Sequence, residues 1–310
     1  MSSLHWQRED TLQTAQLIRH MRRNTAAYLA LFPMAAIVIF AYLGTMAWSV
    51  RLSFTSSRML PRNDFVGFDQ YVQLFGTSRW LTSLENFVFI AIFFLAICFV
   101  LGTLLAIFID QNVRAEGLFR TAFLYPYAMS FVVTGLMWQW ILNPDLGIER
   151  TMRNLGFSEF VLDWVVNSDT VLYAVVLATV WHGAGLVMAL LLAGLRGIDT
   201  DLWKATRIDG IPLWRAYAFI ILPILRPMII TSLVLLSISI VKMYDLIIAM
   251  TNGGPGTASE VPAKFIMDNL FERANIGLAT AASTTMLVTV LLIIAPVLYS
   301  QYLGKKGTTA

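Results

Sequence analysis

Apolar residues along this chain fall into six long runs, separated by shorter polar stretches, rather than into the narrow stripes of a water-facing fold. The runs cover residues 26–50, 86–109, 119–142, 171–195, 227–250 and 276–303. Each reaches the roughly 20 residues that a helix needs to cross a hydrocarbon core ~30 Å thick. In lipid every backbone amide must find a partner within its own helix or a closed barrel. Barrel strands alternate over about 10 residues, and these runs do not. The pattern predicts an all-α integral membrane protein, a six-helix transmembrane bundle filling residues 26–303. Segments 1–25 and 304–310 flank it.

Composition narrows the class. Of the 310 residues, 57% are hydrophobic and 13% charged, against about 25% charged in an ordinary soluble domain. A water-facing surface for so long a chain is not available. The single cysteine, Cys98, lies in an apolar run, so no disulfide framework or CxxC site exists within the chain. A formal charge of +3 is too small to point to nucleic acid. The first 25 residues carry Arg19, Arg22 and Arg23 ahead of an apolar run longer than the ~7–15 residues of a cleavable signal. A retained signal anchor is expected.

Charge also orients the helices. With a cytoplasmic N-terminus, thirteen Lys and Arg fall on the cytoplasmic side and eight outside, with Lys242 inside a span. That bias predicts a multi-pass protein with both termini in the cytoplasm. It places the loop 196–226 in the cytoplasm too. Among the outer loops, 51–83 holds Phe65, Phe68, Tyr71 and Phe75 and is expected to form a short amphipathic cap. Asn143-Pro144-Asp145 marks a turn just past the third run. Thr251-Asn-Gly-Gly-Pro-Gly256 breaks the chain after the fifth, and no Lys-Ser or Lys-Thr follows to make it a phosphate loop. Tyr42, Trp138, Trp140, Trp164 and Trp181 sit near the expected interfaces, where aromatic belts are common. No internal repeat stands out, so inverted-repeat carriers gain no support.

The most informative polar interruption runs from Asp201 to Pro223. Asp199 or Asp201, with Thr200 as a further candidate, can cap a short helix over 202–208. Gly210 can supply the positive φ that ends it, and Pro212 suits the first turn of a second helix. Trp214, Tyr217, Ala218 and Ile221 then repeat at helical spacing, and Pro223 and Pro227 divide that helix from the next span. The expected product is a helix–turn–helix bracket along the inner membrane face, with Leu202, Trp203 and Ile208 as an apolar knob. Spacing alone leaves an ordinary interfacial segment as the alternative.

In this stretch Asp209-Gly210-Ile211 is followed, twelve residues after the glycine, by Leu222-Pro223. It resembles the cytoplasmic EAA loop of ABC import permeases. Lys204-Ala205-Thr206 stands where Glu-Ala-Ala is usual, and Asp199 where proline is usual. The resemblance extends over most of 28–303. Arg120-Thr-Ala-Phe-Leu-Tyr-Pro126 and Trp138-Gln-Trp-Ile-Leu-Asn-Pro144 resemble the ends of the family's third helix, and Gly277-Leu-Ala-Thr-Ala-Ala282 the start of its last. Tyr244-Asp245-Leu246 followed by Thr251-Asn-Gly-Gly-Pro255 is similar to the carbohydrate-uptake branch, in particular the first of two paired permeases of the maltose or glycerol-phosphate type. The resemblance implies a permease subunit, in the bacterial inner membrane, of an ATP-driven importer for a sugar or sugar derivative. It implies a second, homologous permease, two ATPase subunits that bind the ATP and Mg, and an extracytoplasmic binding protein that delivers solute. It also assigns Leu202, Trp203, Lys204, Ala205, Ile208, Asp209 and Gly210 to a coupling helix, between the fourth and fifth spans, that meets the ATPase.

For the passage, two groups stand out. Trp181-His182-Gly183-Ala184-Gly185 interrupts the fourth run: the indole can stack on a sugar ring, the imidazole can bond a hydroxyl, and the glycines allow close helix approach. Plain helix packing, with His182 bonded to a neighbouring backbone, is the alternative. In the fifth run Ser239, Lys242 and Asp245 recur every three residues beside Met243, and Lys242 can pair with Asp245. Ionisable residues at such depth are functional candidates, and Lys242 would also suit an anionic sugar derivative. His5, His20 and Cys98 form no metal-binding or nucleophilic pattern, and no catalytic or ATP-binding motif occurs. The chain is therefore expected to be no enzyme and to hold no cofactor of its own. An ion-coupled secondary transporter is the rival class, but it would usually bury more carboxylates than Asp245 alone.

Overall fold

The computed structural model describes residues 30–111 and 113–306, with side chains as far as Leu292. The predicted N-terminal segment and the last four residues of the tail lie outside the described residues. Among those described there are helices and two isolated bridges, Thr55 to Phe65 and Arg58 to Leu60, but no extended strand.

The chain opens with α1 (Ala30–Leu52). After the cap segment come α2 (Asp69–Gly76) and α3 (Ser78–Asp110). Then follow α4 (Glu116–Ala128), α5 (Phe131–Ile141), α6 (Ile148–Asn154) and α7 (Val171–Arg196). The bracket supplies α8 (Thr200–Ile208) and α9 (Leu213–Ile224), which turns through 73° into α10 (Arg226–Val241). The chain closes with α11 (Tyr244–Met250), α12 (residues 262–272) and α13 (Ile276–Lys306).

Three of the six predicted runs are single helices close to their expected bounds, and α3 is a fourth that starts eight residues early. The early start follows from Trp80, Ser83 and Asn86, which are buried on the helix face that continues the core. The run 119–142 is not one helix. Pro126 sits in the last turn of α4, where it removes an amide donor. Met129 and Ser130 turn extended, with ψ 154° at each. The Ser130 hydroxyl then caps α5 by accepting from the Val133 amide at 3.3 Å. The run 227–250 also divides, at Lys242 (φ −91°, ψ 6°) and Met243 (φ −74°, ψ 8°). Among the described residues, three helices can cross a membrane by length and apolar composition (α1, α3 and α7), or four with α9 and α10 taken as one bent span.

Helix α7 is the axis of the bundle. Its apolar window is 67% buried, whereas no residue of the α1 window is buried, so most of α1 is left to lipid or another chain and only its C-terminal end, with Leu52 buried, packs back against α13. Close packing around α7 depends on glycine. A Cβ on Gly183 would meet the Phe94 ring of α3 at 2.8 Å, and one on Gly185 would lie 2.0 Å from the Phe123 carbonyl of α4. Gly102 of α3 likewise faces Val187.

Candidate functional site

The bracket between α7 and α10 is built from local signals. Of the three capping candidates, Asp199 is the one used: its carboxylate accepts from the Asp201 amide at 2.9 Å. At the other end Gly210 adopts φ +65°. Its amide donates to the Arg207 carbonyl, and the Ile211 amide to that of Thr206, which together form a Schellman cap. Pro212 stands one residue before α9, in extended conformation, rather than inside its first turn.

The expected apolar knob is not what the bracket displays. Leu202 and Trp203 are half-buried against the core, and the Trp203 ring meets Tyr217 edge-on with centroids 5.3 Å apart. Tyr217 accepts a hydrogen bond from the Gln111 side chain at 2.8 Å, which ties the bracket to the end of α3. These two residues fasten α8 to the bundle. Ile208, 84% exposed, is the apolar residue that remains on the free face. Ala205, Asp209 and Gly210 are exposed with it, and Lys204 pairs there with Asp201 at 2.7 Å. Thr206 is buried, its hydroxyl donating to the Trp203 carbonyl at 2.9 Å. Of the two departures from Glu-Ala-Ala, only Lys204 lies on the outward face.

The passage candidates separate into two places. His182 is buried between the rings of Phe131 and Tyr127, with centroids 4.5 and 5.6 Å away. Its Nδ1 shares a hydrogen bond with the Thr134 hydroxyl at 3.2 Å, so its partner is a side chain rather than a backbone group. Trp181 is half-buried edge-on to Trp138, at 5.9 Å. Gly183 lies under the Phe94 ring. This group joins α7 to α3 and α5. The second group surrounds the α10–α11 break. Lys242 borders a cavity of about 250 Å³ between α3, α10 and α13, with Ser237 and Thr289 as its polar neighbours and a wall that is otherwise apolar. Trp181, His182 and Gly183 do not line it.

The break also undoes the expected ion pair. Lys242 lies just past the end of α10 and Asp245 is the second residue of α11, so they no longer stand one turn apart on a single helix. Among the described residues neither enters a salt bridge, and both are exposed. Ser239 turns its hydroxyl back to the Leu235 carbonyl at 3.1 Å, and Met243 is buried in the core.

At the opposite end of the bundle lies a charged cluster that sequence reasoning missed. Arg79, at the start of α3, donates to Glu260 at 2.6 Å and also to Asp268, and Lys264 donates to Asp268 at 3.0 Å. Glu260, Lys264 and Asp268 are all buried. Asn86 donates to the Glu260 carbonyl at 2.9 Å, and the ring of Phe265 lies under the Arg79 guanidinium at 5.8 Å. Two cations and two anions balance, so the cluster fastens the 251–272 loop to α3 without leaving an uncompensated buried charge. Gly253 (φ +80°) is part of the same clamp: a Cβ there would strike the Lys264 stem at 2.7 Å. The i, i+4 spacing of Lys264 and Asp268 was readable in the sequence. The link from Arg79 to Glu260, 181 residues away, was not.

Residues 98–304 match the model of a protein family described as binding-protein-dependent transport system inner membrane component. A probable ABC transporter permease protein of Pyrococcus horikoshii is 32% identical, over 92% of this chain and 100% of its own length. The xylose/arabinose import permease protein XacH of Haloferax volcanii is 31% identical, over 87% of this chain and 86% of its own. Among solved structures, the fold is similar to a chain of a bacterial ABC transporter involved in import of the acidic polysaccharide alginate. That match has a TM-score of 0.78 at 22% identity and covers 94% of this chain and 99% of the other.

Proposed function

We infer the role of this chain from its family: it belongs to the binding-protein-dependent transport system inner membrane components, and it is a permease subunit of an ABC importer for a sugar or sugar derivative. The finer assignments below are our proposals. The chain crosses the membrane six times, the third and fifth crossings being the broken pairs α4–α5 and α10–α11. Both termini and the bracket face the cytoplasm, and the clamp faces outward. A second, homologous permease completes the passage, two ATPases supply ATP hydrolysis with their own Mg, and an extracytoplasmic binding protein delivers the solute.

In this reading α8 is the coupling helix. What carries it is a contrast within nine residues: the inner face is fastened by Leu202, Trp203 and Thr206, while Lys204, Ala205, Ile208, Asp209 and Gly210 are left outward. A helix held that way transmits a push at its free face into α7 and α10, since interlocked cores shift as units rather than deform. Solute transfer then follows from rocking of the helix bundles, with no covalent step in this chain.

The test is Ile208→Asp in the reconstituted complex. Because Ile208 is exposed, stability should change by less than about 0.5 kcal/mol. Uptake should fall at least tenfold, and the loaded binding protein should no longer stimulate ATP hydrolysis. Parental uptake with normal stimulation would remove α8 from coupling.

Lys242, at the break and in no salt bridge among the described residues, is proposed to face the solute. Trp181, His182, Gly183, Ser239, Met243 and Asp245 then act by shaping the helices around the passage rather than as one binding surface. Lys242→Met should weaken uptake of an acidic solute much more than of a neutral one. Equal losses would take Lys242 out of recognition.

A further inference from the structure

We propose that the segment between α1 and α3 is a membrane-surface anchor. In it Met59 and Leu60 insert among acyl chains, and Arg58 and Arg62 bind the phosphates of anionic phospholipid headgroups. The proposal rests on the membrane placement given above, but not on the coupling role of α8.

Several observations converge on this segment. Its tip reads Arg58-Met-Leu-Pro-Arg62, two apolar residues between two cations. A bridge between Arg58 and Leu60, and the Ser57 hydroxyl accepting from the Arg62 amide at 2.9 Å, close it into a tight turn. Met59 and Leu60 are 83% and 72% exposed. Among the described residues Arg58 and Arg62 enter no salt bridge. The turn is also held firmly. The Gly277 amide donates to the Ser57 carbonyl at 2.8 Å, and the Met59 amide to that of Ala274 at 2.7 Å. Behind it, Phe54 packs on Phe65, Phe68 and Tyr71 with centroids 5.4–6.2 Å apart. Phe65, Phe68 and Val72 still leave most of their surface exposed.

The occupant follows from continuity. The segment begins directly at the end of α1, whose apolar window has no buried residue, and there Arg51 lies over the half-exposed Trp48 ring at 5.2 Å. A stacked aromatic–arginine pair at a helix end marks the depth of the headgroups. The exposed apolar surface of 59–72 therefore extends the lipid-facing surface of α1 sideways along the interface. Apolar side chains dipping into the acyl boundary beside cations on anionic headgroups is the chemistry of interfacial anchoring. The arginines, though outside by the proposed orientation, then have a reason to be there.

The test uses the whole transporter, this chain with its second permease and ATPases, in vesicles of brominated phosphatidylglycerol or brominated phosphatidylcholine. An environment-sensitive fluorophore is placed at Leu60→Cys; the native Cys98 is buried and stays unlabelled. Val72→Cys on the same surface serves if Leu60→Cys does not assemble. The expected result is blue-shifted emission that both brominated lipids quench, phosphatidylglycerol more strongly. The excess quenching should be lost in the Arg58→Gln/Arg62→Gln double variant. A water-exposed probe that bromine leaves untouched would overturn the anchor. So would a probe whose emission shifts when the binding protein is added, because that surface would then be a protein interface. Equal quenching in the two lipids would overturn the headgroup contact. Labelling of Asn63→Cys by a membrane-impermeant reagent reports sidedness separately. If it reacts only from the cytoplasmic side, the proposed orientation fails while the quenching still decides whether the segment is an anchor.

Discussion

The two ends of the bundle are held together by opposite means. At the bracket, α8 is fixed by aromatic packing of Trp203 on Tyr217, which itself accepts a hydrogen bond from Gln111, and by caps made within its own stretch of chain. Two of its charges, Lys204 and Asp201, pair in the open. At the clamp, Arg79, Glu260, Lys264 and Asp268 form a largely buried, charge-balanced knot between segments far apart in sequence. Exposed ion pairs contribute about 0–1 kcal/mol. A buried one strongly penalises the removal of either partner. Under the proposed coupling role, one end is pressed on while the other stays rigid.

Arg79→Ala should break this contrast most severely. It leaves Glu260 buried without its cation and Asp268 short of one, a loss of about 3–5 kcal/mol, read as a lower unfolding temperature of the assembled complex. Pairing Arg79→Met with Glu260→Gln removes a cation and an anion together, and should recover most of that loss. A double variant no better than the single would mean that the cluster stabilises by packing rather than by charge balance.

The glycines give the next comparison. Gly210→Ala and Gly253→Ala both force a side chain to positive φ, a cost of about 1–2 kcal/mol. At Gly210 the added carbon meets nothing within 4 Å. At Gly253 it strikes Lys264 and disturbs its bonds to Asp268. Gly253→Ala should therefore destabilise more, and equal unfolding shifts would show that the clamp yields freely. Lys204→Ala, breaking an exposed pair, should have the smallest effect, under about 1 kcal/mol, and added salt should shrink it further.

The same contrast explains what could be read in the sequence. The bracket was legible because its signals are local: Asp199 before a short helix, Gly210 after it, Pro212 ahead of the next. Its direction was not, because only the fold shows that Trp203 finds Tyr217 and that Thr206 turns inward. Hydropathy located the apolar runs but was blind to the breaks within two of them. Pro126 signals the first. The second, at Lys242, has neither proline nor glycine to mark it. The clamp was out of reach because its partners meet only after the helices between them have packed.

The central claim is that the outward face of α8 meets an ATPase, and cross-linking tests it most directly. In the assembled transporter, Ile208→Cys should form a disulfide with a cysteine placed along the ATPase surface facing the membrane subunits, and ATP should change its yield. Trp203→Cys, on the fastened side, should not cross-link. A bracket whose Ile208→Cys links to no ATPase position, or links equally with and without ATP, would contradict the account.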